Sequence, residues 1–246
     1  MHFRAQIRDT NGNPVPGVKV DWSSNRDTSV VRFSEVQSLS DSEGRAVTSV
    51  TSSQAFGVAV TASIPLSPSM TEMITFTTDE LSEARSSLRL HPTTIVAGKE
   101  KAVLILVLRD KHDNPLTGQR VVPVSDKPGI VFGETKELPE GRYQIDVSST
   151  QAQERLLSVR VNEVPLSFTE RLVVSGDGSQ GRIGAVGVNR TQMIAGDLLG
   201  VTYNATIVDH NGNPLPGMMV FWQQEGNVEG GGTLRVRMLT GSLISS

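Results

Sequence analysis

The chain has no cysteine. That excludes disulfide staples, thiolate metal centres and thiol nucleophiles, and any immunoglobulin-like fold here must do without an inter-sheet disulfide. Aromatic residues are scarce at 4%, with two tryptophans and two tyrosines. They leave little material for an exposed aromatic face that stacks on sugars. A dominant charge is also lacking: 23 Lys+Arg stand against 26 Asp+Glu, a net charge of −3 over 246 residues. A domain that lives on phosphate backbones is far more basic, so the composition argues against a nucleic-acid partner. The longest apolar run, Ala102 to Leu108, is seven residues. This is strand length and far short of the ~18 residues of a spanning helix, so no direct membrane insertion is expected. Met1 to Arg8 carries His2, Arg4 and Arg8 and no apolar centre, which does not make a secretory signal.

What is present is a repeat. Asp9-Thr10-Asn11-Gly12-Asn13-Pro14-Val15-Pro16-Gly17 recurs as Asp209-His210-Asn211-Gly212-Asn213-Pro214-Leu215-Pro216-Gly217, with a decayed copy, Asp110-Lys111-His112-Asp113-Asn114-Pro115-Leu116-Thr117-Gly118, between them. The opening aspartates are 101 and 99 residues apart, and thirteen residues after each come Trp22, Pro123 and Trp222. A second phrase, Thr93-Thr94-Ile95-Val96-Ala97-Gly98, returns as Thr191-Gln192-Met193-Ile194-Ala195-Gly196. Two phrases holding one period of about 100 residues define a tandem array.

The units read as all-β. Phe3, Ala5 and Ile7 alternate with polar residues, as do Val18, Val20 and Trp22, then Val58, Val60, Ala62 and Ile64, then Tyr143, Ile145 and Val147, then Val201, Tyr203, Ala205 and Ile207. Period two marks strands with one buried face. No stretch sustains an apolar stripe at helical spacing; Gln151 to Leu157 is long enough for one helical turn. Short strands between Gly, Pro, Asn and Asp clusters predict immunoglobulin-like Greek-key β-sandwiches, without disulfides. In the repeated phrase an aspartate accepts nearby backbone N–H groups, Asn-Gly tolerates positive φ, and the prolines Pro14, Pro115 and Pro214 fix φ and forbid ladder donation. The expected turn residues are Asp9, Asn11, Gly12, Asn13, Pro14 and Gly17; Asp110, Asn114 and Pro115; and Asp209, Asn211, Gly212, Asn213, Pro214 and Gly217. Trp22, Trp222 and Tyr143 are expected in the cores.

These phrases, with Leu39-Ser40-Asp41-Ser42-Glu43-Gly44-Arg45-Ala46 and the strand Val58-Ala59-Val60-Thr61-Ala62 that follows, resemble the bacterial Ig-like (group 1) repeats of the intimin/invasin family. Gly141-Arg142-Tyr143-Gln144-Ile145-Asp146-Val147 is similar to the divergent repeats of the same proteins. The resemblance implies a rigid extracellular rod of an outer-membrane adhesin, placed at the cell surface. It also implies a host-cell or neighbouring-cell receptor, met through distal domains absent here. The family's barrel, peptidoglycan-binding segment and lectin-like tip have no counterpart in these residues, and no signal peptide or anchor is read in them. The expectation is a fragment. Residues 1–80 form an Ig-like domain lacking its first strand, 81–175 a complete divergent one, and 176–246 one truncated at its C-terminus. The alternatives are a module binding glycan or receptor through sandwich-end loops, or a non-functional remnant of such an adhesin.

Other patterns carry less. Gly176-Asp177-Gly178-Ser179-Gln180-Gly181 spells a dinucleotide fingerprint, but Arg182 to Val188 has two glycines and no helical stripe, so it reads as a linker. Asp9-x-Asn11-x-Asn13 mimics half a calcium loop, with proline where the sharp-turn glycine belongs and Val20 in place of the bidentate glutamate. His2, His91, His112 and His210 are scattered, so no metal site is expected. Asn189 and Asn204 fit the glycosylation sequon by chance, and Glu134, Glu137 and Glu140 are assigned to a surface loop. With no catalytic constellation, neither a cofactor nor enzymatic activity is expected.

Overall fold

The computed structural model describes residues 1–192, 194, 200–225 and 233–237. They fall into two compact units. The first is Met1–Ser86 with Val107–Thr117, and the second is Ser87–Leu106 with the described residues from Gly118 onward.

The first unit holds seven strands: β1 (His2–Gln6), β2 (Lys19–Ser24), β3 (Val31–Phe33), β4 (Gln37–Leu39), β5 (Arg45–Ser52), β6 (Gly57–Ser63) and β7 (Met70–Thr75). They make two sheets, in the orders β1-β5-β3 and β4-β2-β6-β7. The alternation seen in the sequence decides which face goes inward. From one sheet Val31, Ala46 and Val50, and from the other Val20, Trp22, Val58 and Val60, form a single buried cluster with Ile7. This is a β-sandwich whose core lies between the facing sheets. Trp22 is buried, and its Nε1 donates to Ser38 Oγ at 2.9 Å.

Leu39 to Ala46 makes the entry to β5. Asp41 accepts the N–H groups of Glu43 and Arg45 at 2.9 and 2.8 Å, which bends the chain into Gly44. Gly44 has φ +71°, and a Cβ there would collide with the Ile7 carbonyl oxygen. Glycine is required twice over, by its backbone angle and by the approach of the chain beside it.

The second unit contains β8 (Ser87–His91), β9 (Thr94–Val96), β10 (Ala102–Val107), β11 (Val121–Ser125), β12 (Val131–Phe132), β13 (Lys136–Leu138), β14 (Arg142–Ser148), β15 (Glu154–Val161), β16 (Val164–Pro165) and β17 (Glu170–Ser175). One sheet runs β12-β14-β10-β8 with β13 beside β14; the other runs β11-β15-β17-β9 with β16 beside β15. β9 joins β17 in parallel, Thr94 facing Val173 and Val96 facing Ser175. Leu104, Leu106, Tyr143, Ile145 and Val147 of the first sheet and Leu157, Val159, Leu172 and Val174 of the second are buried. Tyr143 is 1% exposed, and its hydroxyl accepts the Gln119 N–H at 3.0 Å.

The remaining strands are β18 (Arg182–Val188), β19 (Tyr203–Val208), β20 (Phe221–Glu225) and β21 (Thr233–Arg237), paired antiparallel as β18-β19 and β20-β21. Trp222, expected in a core, is instead 39% exposed. Its ring lies 5.9 Å from that of Tyr203 on β19, which belongs to the other two-stranded sheet. The Ala195-Gly196 part of the repeated phrase and the C-terminal end from Leu239 lie outside the described residues.

Two smaller expectations change. Gln151 to Leu157 makes no helical turn: the Ser149 hydroxyl accepts the Gln151 N–H at 3.0 Å, and the chain runs straight into β15. The β-branched and leucine-rich alternation of Glu154–Val161 outweighs the local helical composition there. Glu137 lies on β13 rather than in a loop, and its carboxylate accepts the Gly118 N–H at 2.8 Å.

Candidate functional site

The repeated turns are the most elaborately bonded features of the chain. In each, one aspartate oxygen collects two backbone N–H groups, those of the second and fourth residues after it. For Asp9 these are Asn11 and Asn13 at 2.9 and 2.8 Å. For Asp110 they are His112 and Asn114 at 2.8 and 2.9 Å, and for Asp209 they are Asn211 and Asn213 at 2.9 and 2.8 Å. The other oxygen takes the side-chain amide of the asparagine four residues on, at 3.1, 2.8 and 2.8 Å. Pro14, Pro115 and Pro214 close the turns by single bridges to Arg8, Arg109 and Val208. Gly12 and Gly212 both have φ +85°, while Asp113 takes their place in the middle copy at φ +71°. Aspartate is one of the few side chains that tolerates this region. Gly17 and Gly217, at φ +73° and +80°, end the turns.

Beyond this shared frame the copies diverge. In the first unit, Asn114 Nδ2 donates to the Ser53 carbonyl at 2.9 Å, and its Oδ1 accepts the Ala55 N–H at 3.0 Å. Asp110 also accepts the Asp79 N–H at 3.0 Å. In the second unit, Asn213 Nδ2 donates to the Thr150 carbonyl at 2.9 Å, Oδ1 accepts the Ala152 N–H at 2.7 Å, and Asp209 accepts the Asp177 N–H at 3.1 Å. Each asparagine amide thus grips a loop by a carbonyl and an N–H two residues apart. Asp110, Asn114, Asp209 and Asn213 are all buried, whereas Asp9 and Asn13 are exposed and bond only within their own turn. Lys111 adds an ion pair with Asp79 at 2.6 Å, and Lys99 approaches Asp177 at 3.9 Å.

The electrostatics follow from the donors. Burial pushes the Asp110 carboxyl up, but the N–H of Asp79, the Asn114 amide and the backbone N–H groups of Asn114 and His112 outweigh it and hold the group down at about 2. Asp209 is lowered in the same way: burial opposes, while the Asn213 amide, the Asn213 N–H and the Asp177 N–H prevail. Asp9 is lowered chiefly by the Asn13 amide. These carboxylates are kept ionised as acceptors, with their lone pairs committed to N–H groups. Their chemistry is structural clasping rather than proton transfer. Among the described residues no three His, Asp or Glu side chains gather as ligands for a metal ion. Gly178–Gln180, inside the G-x-G-x-x-G pattern, is a single 3-10 turn capped by Asp177 and followed by β18, so the segment meets a strand where a dinucleotide site has a helix.

The gripped loops escape a reading of the sequence alone, although a signal for them exists. Ser52-Ser53-Gln54-Ala55 and Ser149-Thr150-Gln151-Ala152 share a pattern 97 residues apart. In both, the leading serine hydroxyl bonds the glutamine N–H at 3.0 Å, which presents the carbonyl and N–H that the asparagine takes.

Residues 1–77 match the family model of the bacterial Ig-like domain (group 1). Over 225 residues the chain is 22% identical to the inverse autotransporter adhesin YeeJ of Escherichia coli (strain K12), a match covering 88% of this chain and 10% of that protein. The chain therefore spans about a tenth of the length of this curated relative. Among solved structures, the Escherichia coli adhesin FdeC superposes with a TM-score of 0.63 at 17% identity, covering 92% of this chain and 74% of that one. InvD of Yersinia pseudotuberculosis gives 0.61 at 16%, covering 98% and 80%. Invasin, a bacterial integrin-binding protein, gives 0.56 at 20%, covering 91% and 46%. These structural likenesses establish a shared immunoglobulin-like fold.

Proposed function

For a chain that is intimin/invasin-like and carries a bacterial Ig-like domain of group 1 over residues 1–77, we propose the role of a non-catalytic structural segment in a bacterial surface adhesin, its sandwiches serving as stiff spacers in an extracellular rod. The repeats are taken as residues 1–80, 81–175 and 176–246. The observation that carries the reading is the recurrence of one clasp. Asn114 and Asn213 make the same pair of hydrogen bonds to Ser53 and Ala55 and to Thr150 and Ala152, with Asp110 and Asp209 each taking one further N–H. A buried, fully bonded contact repeated once per period suits a structural element whose polar groups are committed to holding loops in place within each unit. Asp9, Asn11, Gly12, Asn13, Pro14 and Gly17, with their counterparts in the other copies, are its turn residues, and Trp22 and Tyr143 its core residues. On this reading a host-cell or neighbouring-cell receptor is met by other parts of the adhesin, and no residue here does chemistry.

The test is exposure. The tagged chain is produced in its bacterial host and external protease is added to intact cells. Surface signal that the protease removes is the expected result; signal confined to the cytoplasm overturns the role for this chain.

A further inference from the structure

Each buried clasp carries one more residue, the one directly after the turn aspartate, and its chemistry differs between the units. In the first unit it is Lys111. The Asp79 N–H bonds Asp110, Asp79 Oδ1 accepts the Glu80 N–H at 2.8 Å, and Asp79 Oδ2 takes the Lys111 ammonium at 2.6 Å. The same frame recurs in the second unit. The Asp177 N–H bonds Asp209, and Asp177 Oδ1 collects the Ser179 N–H at 3.0 Å and the Ser179 hydroxyl at 2.6 Å. Here the residue after the aspartate is His210. Among the described residues no hydrogen bond reaches Asp177 Oδ2, the oxygen whose counterpart in the first unit holds Lys111.

Asp177 and His210 line one open pocket of about 490 Å³, together with Lys99, Ser179 and Gln180. The titratable groups on its walls are Lys99, Asp177 and His210. Lys99, from the turn after β9, stands 3.9 Å from Asp177 Oδ1, the oxygen that Ser179 already occupies. Asp209, beside His210 in the chain, has its oxygens committed to the N–H groups of Asn211, Asn213 and Asp177 and to the Asn213 amide. The Ser179 hydroxyl holds the Asp177 carboxyl below its ordinary value against the effect of burial, and the Ser179 N–H, Lys99 and His210 add to this. Asp177 therefore stays ionised where an imidazole takes up its proton.

We propose that His210 is a proton-operated pin on the second clasp: as imidazolium it donates to Asp177 Oδ2, the contact that Lys111 makes permanently with Asp79. Lysine is charged throughout the ordinary pH range, histidine only in its acidic part. A neutral imidazole keeps one N–H donor but brings no charge, and a charge-assisted hydrogen bond is about twice as strong as a neutral one. The segment before β18 is therefore held to the Asp209 turn more tightly below about pH 6 than above about pH 8. The paired state binds the proton, so the stability that the pair adds is present at low pH and lost as pH rises. That sign is opposite to the one at Asp110.

The experiment uses the purified full chain, so its outcome does not depend on whether the chain reaches a cell surface. Amide protection factors, which remove the intrinsic pH dependence of exchange, are measured at Ser179, and the NMR signal of the Asp177 carboxylate carbon is followed alongside. From about pH 8 to about pH 5.5 the protection should rise about two- to fivefold, the scale of an exposed ion pair, and the carboxylate signal should move with it. His210→Gln should abolish both responses. His210 is exposed, so the fold tolerates the change, and His2, His91 and His112 remain in every variant and cancel in the comparison. Asp177→Asn keeps an oxygen for Ser179 and removes the charge, and should flatten the protection response as well. His210→Lys, which copies Lys111, should keep the protection high at both pH values. A response in His210→Gln equal to the parent's, or one that survives Asp177→Asn, overturns the proposal. So does His210→Lys showing no more protection than the parent at about pH 8.

Discussion

Asn114 and Ala55, 59 positions apart in the chain, are joined by a 3.0 Å hydrogen bond from the Ala55 N–H to Asn114 Oδ1. The same amide donates to the Ser53 carbonyl and to Asp110 at 2.9 and 2.8 Å, so all three bonds hang on one side chain of a buried residue. Asn13 holds the equivalent position on an exposed turn and bonds Asp9 alone. One residue type in one local frame thus does two different jobs, and water access separates them.

Truncating these asparagines should expose the difference. Asn114→Ala and Asn213→Ala each strip a loop carbonyl and a loop N–H of their partner in a buried setting, which costs about 1–3 kcal/mol. Asn13→Ala leaves its groups open to water and should cost a small fraction of that. Denaturant midpoints of the three variants are the measurement, and equal losses at Asn13 and Asn114 would contradict the clasp.

Glycine substitutions separate backbone angle from crowding. Gly12 has φ +85° with nothing within 4 Å of a built Cβ, so Gly12→Ala should cost about 1 kcal/mol from the angle alone. At Gly44 the same substitution adds a collision with the Ile7 carbonyl oxygen, and Gly44→Ala should cost at least about 2 kcal/mol. Thermal unfolding of the pair checks the order.

These contrasts mark where the sequence is legible. The Asp-Asn turns could be read because their chemistry is local: an aspartate and its N–H partners lie within four residues. Trp22 could be placed in a core because Val20 and Trp22 alternate with Asp21 and Ser23. Trp222 shares that pattern and is nevertheless 39% exposed, because alternation tells which way a side chain points and not how completely its neighbours cover it. The grip of Asn114 on Ser53 and Ala55 spans about sixty residues, and no periodicity encodes it. Only the paired Ser-x-Gln-Ala loops hinted that those backbones were presented to something.

Tyr143 offers a test of the second core. Its ring is buried, and its hydroxyl receives the Gln119 N–H at 3.0 Å, tying the approach to β11 onto β14. Tyr143→Phe keeps the ring and removes the acceptor, so stability should fall by about 0.5–1.5 kcal/mol. Tyr143→Ala also empties the core and should cost about 3–5 kcal/mol. Burial raises the phenol's pKa, so the hydroxyl stays neutral through the ordinary pH range and the Phe effect should not vary between about pH 6 and 9. Urea unfolding at both ends of that window measures this.

Acid should loosen the clasp at Asp110 first through its proton. The carboxyl sits at about 2 in the folded chain against an ordinary 3.8, so the unfolded state binds the proton more readily. The stability this group contributes is therefore complete above about pH 4 and is lost as pH falls through about 2. Asp209, lowered by the same arrangement, adds to the slope with the same sign. Asp110→Asn removes the titration, and it also sets an NH2 group against the Asp79 N–H and the Asn114 amide, donor facing donor. The variant should be less stable than the parent at about pH 7, and its urea midpoint should change less between about pH 4 and 2. An unchanged acid slope in Asp110→Asn would mean that the acid sensitivity resides in other carboxylates.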